Sequence, residues 1–237
     1  MKKLTWVSLV FVFMIGLVWV SGSMGGEKTE PAAPVKLEPI KLPPPQMTGG
    51  RPLMEVLKDR KTSRDFKPDK LPPQVLSNLL WAAFGINRPG SGLRTAPSAM
   101  NWQEIDLYVA MAEGLYLYDA KANVLQPVLA KDVRGETGRS LIQPFVKEAP
   151  LNLVYIADFS RVSVMGKIFV SEEDKLVYAS AAAGFIGQNV YLFCASEGLA
   201  TVIRGLIDKE ALGKDLKLGP KQKIILAQTV GYPKTEK

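Results

Sequence analysis

The chain is 237 residues long, enough for one domain with a sizeable core. Lysine and arginine exceed aspartate and glutamate by 7, but the excess is scattered, which argues against nucleic acid and leaves anionic ligands such as phosphates open. Histidine is absent and Cys194 is the single cysteine; this removes the usual general base, the usual triads, most zinc sites, any intrachain disulfide and any Cys-ligated cluster, leaving carboxylates or a bound organic cofactor to carry chemistry.

Met1-Lys2-Lys3 is a basic start, residues 4–20 are uncharged and apolar, and Ser21-Gly22-Ser23 supplies small residues suited to a cleavage site. This is a secretory signal pattern. The apolar run is long for a signal and short for a comfortable span, so a retained N-terminal anchor stays open. Residues 1–23 are therefore expected to be a signal peptide or anchor, with the protein exported or tethered to a membrane. Neither a lipobox cysteine nor a twin arginine is present there. Residues 24–50 are rich in Pro and Gly, include Pro43-Pro44-Pro45, and lack hydrophobic periodicity. They read as a flexible, partly polyproline linker. The globular domain is expected over 51–237.

Residues 52–59 read as a short helix with Leu53, Val56 and Leu57 on one side. Residues 60–66 follow, Arg-Lys-Thr-Ser-Arg-Asp-Phe. If they are extended, Arg60, Thr62 and Arg64 share a face and form a phosphate clamp; a solvated basic turn is the alternative. Leu71-Pro72-Pro73 opens a helix carrying Val75, Leu76, Leu79, Leu80 and Ala83, and Gly85 is placed to stop it.

Residues 94–110 are half loop and half strand. Pro97, Ser98, Asn101 and Gln103 offer a stiff backbone with hydroxyl and carboxamide groups, suited to the polar edge of a flat heterocycle or to an ordinary capped turn. Ile105, Leu107 and Val109 then alternate with Asp106 and Tyr108, as in a half-buried strand. A hairpin is expected over 114–129, with its turn at 121–123. A broken helix covers 131–149, and 151–157 is a nearly continuous apolar run typical of a central strand.

Ser171 followed by Asp174 is a capping-box variant that opens a helix to about residue 197. No charge falls between 177 and 196. That length would allow a membrane span, but a helix buried on all sides, forming the seam of an obligate dimer, is the preferred reading. Cys194 within it reads as a buried structural thiol. A turn and short strand over 198–202 and a last strand over 224–230 complete an α+β sheet flanked by helices. No Gly-x-Gly-x-x-Gly or Gly-Lys-Ser/Thr signature occurs.

Four segments, 60–66, 97–103, the helix end with Glu197-Gly-Leu-Ala-Thr201, and Val230-Gly-Tyr-Pro-Lys234, together resemble the nitroreductase superfamily of flavin mononucleotide (FMN) enzymes, closest to its SagB/ThcOx-type dehydrogenase branch. The resemblance covers about residues 51–234. It implies a nitroreductase-like fold, a central mostly antiparallel sheet flanked by helices, with the long helix at a homodimer interface. It implies FMN as cofactor and hydride transfer between a reductant such as NAD(P)H and a small organic acceptor. By the same resemblance Arg60, Lys61, Thr62 and Arg64 hold the phosphate and ribityl chain. Pro97, Ser98 and Asn101 contact the ring, usually from the other subunit. Gly198, Leu199 and Ala200 lie near its reactive edge, and Lys234 reaches the phosphate. Thr62 stands where the family has Ser, and Glu104 where it more often has Pro. Tyr178, Arg204 and Glu104 are candidates for a substrate-side proton donor, with a structural salt bridge as the other reading of Arg204. A flavin- or ligand-binding module without turnover, and an interaction protein without flavin, are the competing classes.

Overall fold

The computed structural model describes residues 36–234. The signal or anchor expected over 1–23, and the linker up to residue 35, lie outside the described residues. In chain order the elements are β1 (Ile40–Lys41), α1 (Leu53–Asp59), α2 (Pro73–Phe84), β2 (Ile86–Arg88), β3 (Leu93–Arg94), β4 (Ile105–Met111), β5 (Gly114–Asp119), β6 (Val124–Leu129), α3 (Phe145–Glu148), β7 (Leu151–Asp158), α4 (Val164–Phe169), α5 (Glu172–Ser196), β8 (Ala200–Arg204), α6 (Lys209–Asp215) and β9 (Gln222–Gly231).

Seven strands form one sheet in the order β1-β6-β5-β4-β7-β9-β8, and every neighbouring pair is antiparallel. The fold is α+β, an antiparallel sheet flanked by helices, as expected. β4 alternates as its sequence requires: Ile105, Leu107 and Val109 face the core beneath α2 and α5, while Tyr108 and Ala110 face the opposite layer. That second face is also covered, by Val133, Ile207 and Leu212, so the strand is buried on both sides rather than half-buried. The sequence shows one strand's alternation and cannot show what a distant helix lays over its polar-looking face.

Residues 36–50 do more than link. β1 pairs with β6 through Ile40 and Leu125, and Leu42 is buried. The Pro43 carbonyl accepts from Ser77 Oγ at 2.5 Å and from Asn123 Nδ2 at 2.8 Å. Two apolar residues one apart are enough for an edge strand, even in a proline-rich stretch that carries no longer period.

α2 begins at Pro73 and ends where the Gly85 N–H donates to the Trp81 carbonyl at 2.8 Å, burying Leu76, Leu79, Leu80 and Ala83 as its spacing predicts. α1 departs from expectation: Val56 is buried, but Leu53, Met54 and Leu57 are exposed. α5 is capped by Ser171 Oγ, which accepts from the Asp174 N–H at 3.0 Å. It is long and apolar enough to cross a membrane, yet it packs into the domain. Ala179, Ala182, Ala183, Ile186, Val190 and Cys194 form its buried face. Leu176, Val177, Tyr178 and Phe185 are exposed in the single chain, so the expectation of burial on all sides holds for one face only. Alanines and Gly187 let that face sit close to the sheet, and one helix cannot turn both faces toward one sheet.

Candidate functional site

A cavity of about 920 Å³ opens at the C-terminal end of α5. Three stretches far apart in sequence build it: residues 61–65, the last turns of α5 with Tyr191, Cys194 and Ala195, and the turn from Gly198 to Thr201. Arg51, Asp59 and Pro233 complete its wall. Backbone bonds hold these stretches together. The Ser63 N–H donates to the Thr201 carbonyl at 3.0 Å, and the Lys67 N–H to the Tyr232 carbonyl at 2.8 Å. Phe66 is fully buried, bridges to Pro233 and packs its ring 5.9 Å from Phe145, which pins the end of the basic segment.

The turn after α5 is a Schellman closure. Gly198 has φ +70, and the Leu199 N–H reaches back to the Cys194 carbonyl at 2.8 Å. A Cβ on Gly198 would meet nothing within 4 Å, so backbone there borders open space. Cys194 has no exposed surface, and burial pushes its thiol well above the usual range; it is an inert wall, as read from the sequence.

Of the residues predicted to hold phosphate, Lys61, Thr62 and Arg64 line the cavity. Arg60 does not line it. Its guanidinium lies 5.1 Å from the centre of the Tyr191 ring, and the Tyr191 hydroxyl is 2.9 Å from Thr62 Oγ1. Gly198, Leu199 and Ala200 line the same cavity. Arg51 is neutralised by Asp59 at 2.5 Å, and that contact holds the Asp59 carboxyl below its usual range. Among the described residues neither Lys61 nor Arg64 enters an ion pair. Two free cations, a hydroxyl and an unhindered glycine backbone suit a phosphate monoester, and the volume suits a mononucleotide. The residues present thus fit the phosphate end of FMN. Lys234 lies outside the cavity wall, with Nζ 2.7 Å from Glu148 Oε2.

Pro97, Ser98 and Asn101 do not line this cavity. Their loop stands near the other end of α5, where Trp102 packs 6.0 Å from the Tyr178 ring and its Nε1 donates to Ser163 Oγ at 3.2 Å. From Tyr178 to Cys194 is 16 helical residues, roughly 24 Å at 1.5 Å per residue. Within one chain the two halves of the predicted site are held apart. The loop is strained: Met100, Asn101 and Gln103 all have φ near +50. Gln103 knots it, accepting from Arg94 Nε at 2.7 Å and donating to Asn101 Oδ1 at 3.0 Å and to the Gly92 carbonyl at 3.2 Å. Ser98 Oγ accepts from the Gln103 N–H at 2.9 Å. Among the described residues the Asn101 side-chain N–H groups and the Ser98 O–H have no acceptor.

The proton-donor candidates separate clearly. Tyr178 is partly exposed beside Trp102. Glu104 is fully buried, neither of its oxygens has a partner among the described residues, and desolvation raises its pKa. Arg204 is buried on the opposite side of the sheet from Tyr191, beneath the ring of Phe145, and takes no part in the cavity. The salt bridge expected for it is also not found: Thr137, Asn152 and Thr229 supply neutral acceptors instead. Burial alone draws its pKa down to about 10. Sequence reasoning missed Arg51, Asp59 and Tyr191 as cavity residues. Tyr191 carried the one available signal, a phenol in an otherwise charge-free helix.

A model of the nitroreductase family matches residues 57–232. A nitroreductase-like protein of Methanocaldococcus jannaschii is 29% identical over 186 residues, covering 76% of this chain and 90% of that protein. The crystal structure of a nitroreductase-like protein from Ralstonia eutropha is 41% identical with a TM-score of 0.76, covering 84% of this chain and 90% of that one. The NADPH:FMN oxidoreductase of Vibrio harveyi, solved with NAD+, shares the fold at 16% identity and a TM-score of 0.56, covering 77% and 69%. With three quarters of its length matched by the family model, the chain belongs to the nitroreductase family, a family of oxidoreductases.

Proposed function

We propose that this protein is an FMN-dependent oxidoreductase of the SagB/ThcOx-type branch, passing hydride from a reductant such as NAD(P)H to a small organic acceptor. The observation that carries the reading is the joining of Lys61, Thr62 and Arg64 to the Gly198–Ala200 turn around one cavity. Lys61 and Arg64 would neutralise the phosphate, Thr62 would hydrogen-bond it, and the Gly198 turn would admit the cofactor close to backbone. Bound FMN supplies the hydride-accepting chemistry, so the protein needs no histidine base of its own.

The working unit in this reading is a homodimer with shared sites. The exposed side of α5 carries Val177, Tyr178 and Phe185, apolar side chains that a partner subunit would cover. Pairing two α5 helices antiparallel about a twofold axis sets each chain's 97–103 loop beside its partner's cavity. The roughly 24 Å separation within one chain is thereby closed between chains. The N-terminal segment, by its sequence pattern, exports or tethers the assembly.

The test is direct. The purified full-length protein, incubated with FMN and desalted, is expected to retain a yellow chromophore at one flavin per chain. NADH or NADPH in a stopped-flow instrument is then expected to bleach it. Retained flavin that resists several reductants would support a binding module instead, and a colourless protein would end the flavin reading altogether.

A further inference from the structure

We infer that Tyr191 is a positioning residue that turns the Thr62 hydroxyl into the cavity as a donor, so that the cavity favours a phosphorylated flavin over an unphosphorylated one. The inference rests on the FMN reading above, and concerns a residue outside the segments that carry the family resemblance.

The argument is one of hydrogen-bond direction. A phenol has one O–H to give and lone pairs to accept with. The Tyr191 oxygen accepts from the Ile203 N–H at 3.1 Å, a backbone donor that cannot reverse. Its other contact is Thr62 Oγ1, at 2.9 Å. Donated to Thr62 Oγ1, the Tyr191 O–H completes the bonding of this phenol and leaves the Thr62 hydrogen free to point into the cavity that both residues line. Thr62 borders the cavity between Lys61 and Arg64. The relay Ile203 N–H to Tyr191 O–H to Thr62 O–H then ends in a donor on the wall that also carries Lys61 and Arg64. Such a terminus makes a charge-assisted bond to a phosphate oxygen, stronger than the neutral bond it can make to a ribityl hydroxyl. Bonds in series also polarise one another, which strengthens the last one. Arg60, stacked on the same ring, fixes the ring plane from the other side.

The test compares affinities for FMN and riboflavin by quenching of flavin fluorescence, in the full chain. Tyr191→Phe keeps the ring beneath Arg60 and removes only the hydroxyl. Its FMN affinity is expected to fall about 5- to 20-fold, the scale of one charge-assisted hydrogen bond, while riboflavin affinity falls clearly less. Thr62→Ala should do the same, the double variant should be no worse than Thr62→Ala alone, and Thr62→Ser should restore binding. Equal loss for both flavins, or additive losses in the double variant, would overturn the relay in favour of a plain packing role. A crystal structure of the wild-type complex decides without any variant. Thr62 Oγ1 is expected about 3 Å from a phosphate oxygen while still touching Tyr191, and a hydroxyl turned away from the phosphate would overturn the relay. A wild-type protein that binds neither flavin sinks the functional reading. One that binds FMN while Tyr191→Phe leaves the FMN-to-riboflavin ratio intact sinks the relay alone.

Discussion

Nη2 of Arg204 stands 2.8 Å from Oδ1 of Asn152, inside the domain, with no carboxylate within ion-pair range among the described residues. Asn152 is the hub of this arrangement. Its Oδ1 also accepts from Thr229 Oγ1 at 2.6 Å, and its Nδ2 donates to the Val146 carbonyl at 2.7 Å. A guanidinium without a counter-charge is held by a set of neutral oxygens, so each acceptor matters more than in a salt bridge with spare capacity.

Replacing Asn152 with Ala removes three buried hydrogen bonds at once and leaves the cation short of an acceptor. We expect a loss of about 3–5 kcal/mol in urea unfolding. Arg204→Met, which removes the charge and keeps the volume, should cost clearly less. An Arg204→Met protein as unstable as Asn152→Ala would show that packing, and not the unsatisfied charge, sets the cost.

Glu104 gives a pH signature. Burial raises its folded-state pKa above the unfolded value of about 4.3. The folded form holds a proton that the unfolded form releases, so this group's contribution to stability is complete below about pH 4.3 and declines as pH rises through the folded pKa. Other carboxylates run the opposite way, so the difference between wild type and Glu104→Gln isolates it. The variant should gain on the wild type by about 1.4 kcal/mol per pH unit across that window, then run parallel above it. A difference that stays flat from pH 4 to 8 would mean the carboxyl is ionised or solvated in the folded protein.

The segment before Arg51 should prove part of the domain. Chains starting at Lys36 and at Arg51 differ by β1, by the burial of Leu42, and by the carbonyl that serves Ser77 and Asn123. The shorter chain is expected to be less stable by about 3 kcal/mol. Coincident melting curves for the two would restore residues 36–50 to the role of a passive tether.

Charging the exposed face of α5 should separate subunits without unfolding them. Phe185 is half exposed and makes no core contact that Asp would break. Phe185→Asp is expected to shift sedimentation from dimer to monomer and to weaken FMN binding at least about tenfold, since each site would lose the partner's loop. Wild-type protein that already sediments as a monomer at micromolar concentration would remove the shared-site arrangement.

Much of the fold was legible because several segments are dominated by a single period. β4 and α2 each show one, and Ser171 with Asp174 three residues on announced the start of α5. The exposed row on α1 and the exposed side of α5 were not legible. An apolar residue looks the same in sequence whether its partner is this chain's core or open surface. Arg204 misled in a related way: a lone charge in an apolar stretch called for a carboxylate, whereas neutral oxygens of Thr137 in a turn, Asn152 on β7 and Thr229 on β9 met it.

The candidate site divides along the same line. Composition by itself excluded histidine chemistry, disulfides and cysteine-bound metals, because absent side chains cannot be supplied by folding. The order of its short motifs carried the family. What no local pattern contains is that Thr62 and Tyr191, 129 positions apart, meet at 2.9 Å, or that the loop at Asn101 faces away from them. Those facts follow from the path of α5 across the sheet and from β8 lying at its edge, since only tertiary packing decides which distant backbones become neighbours.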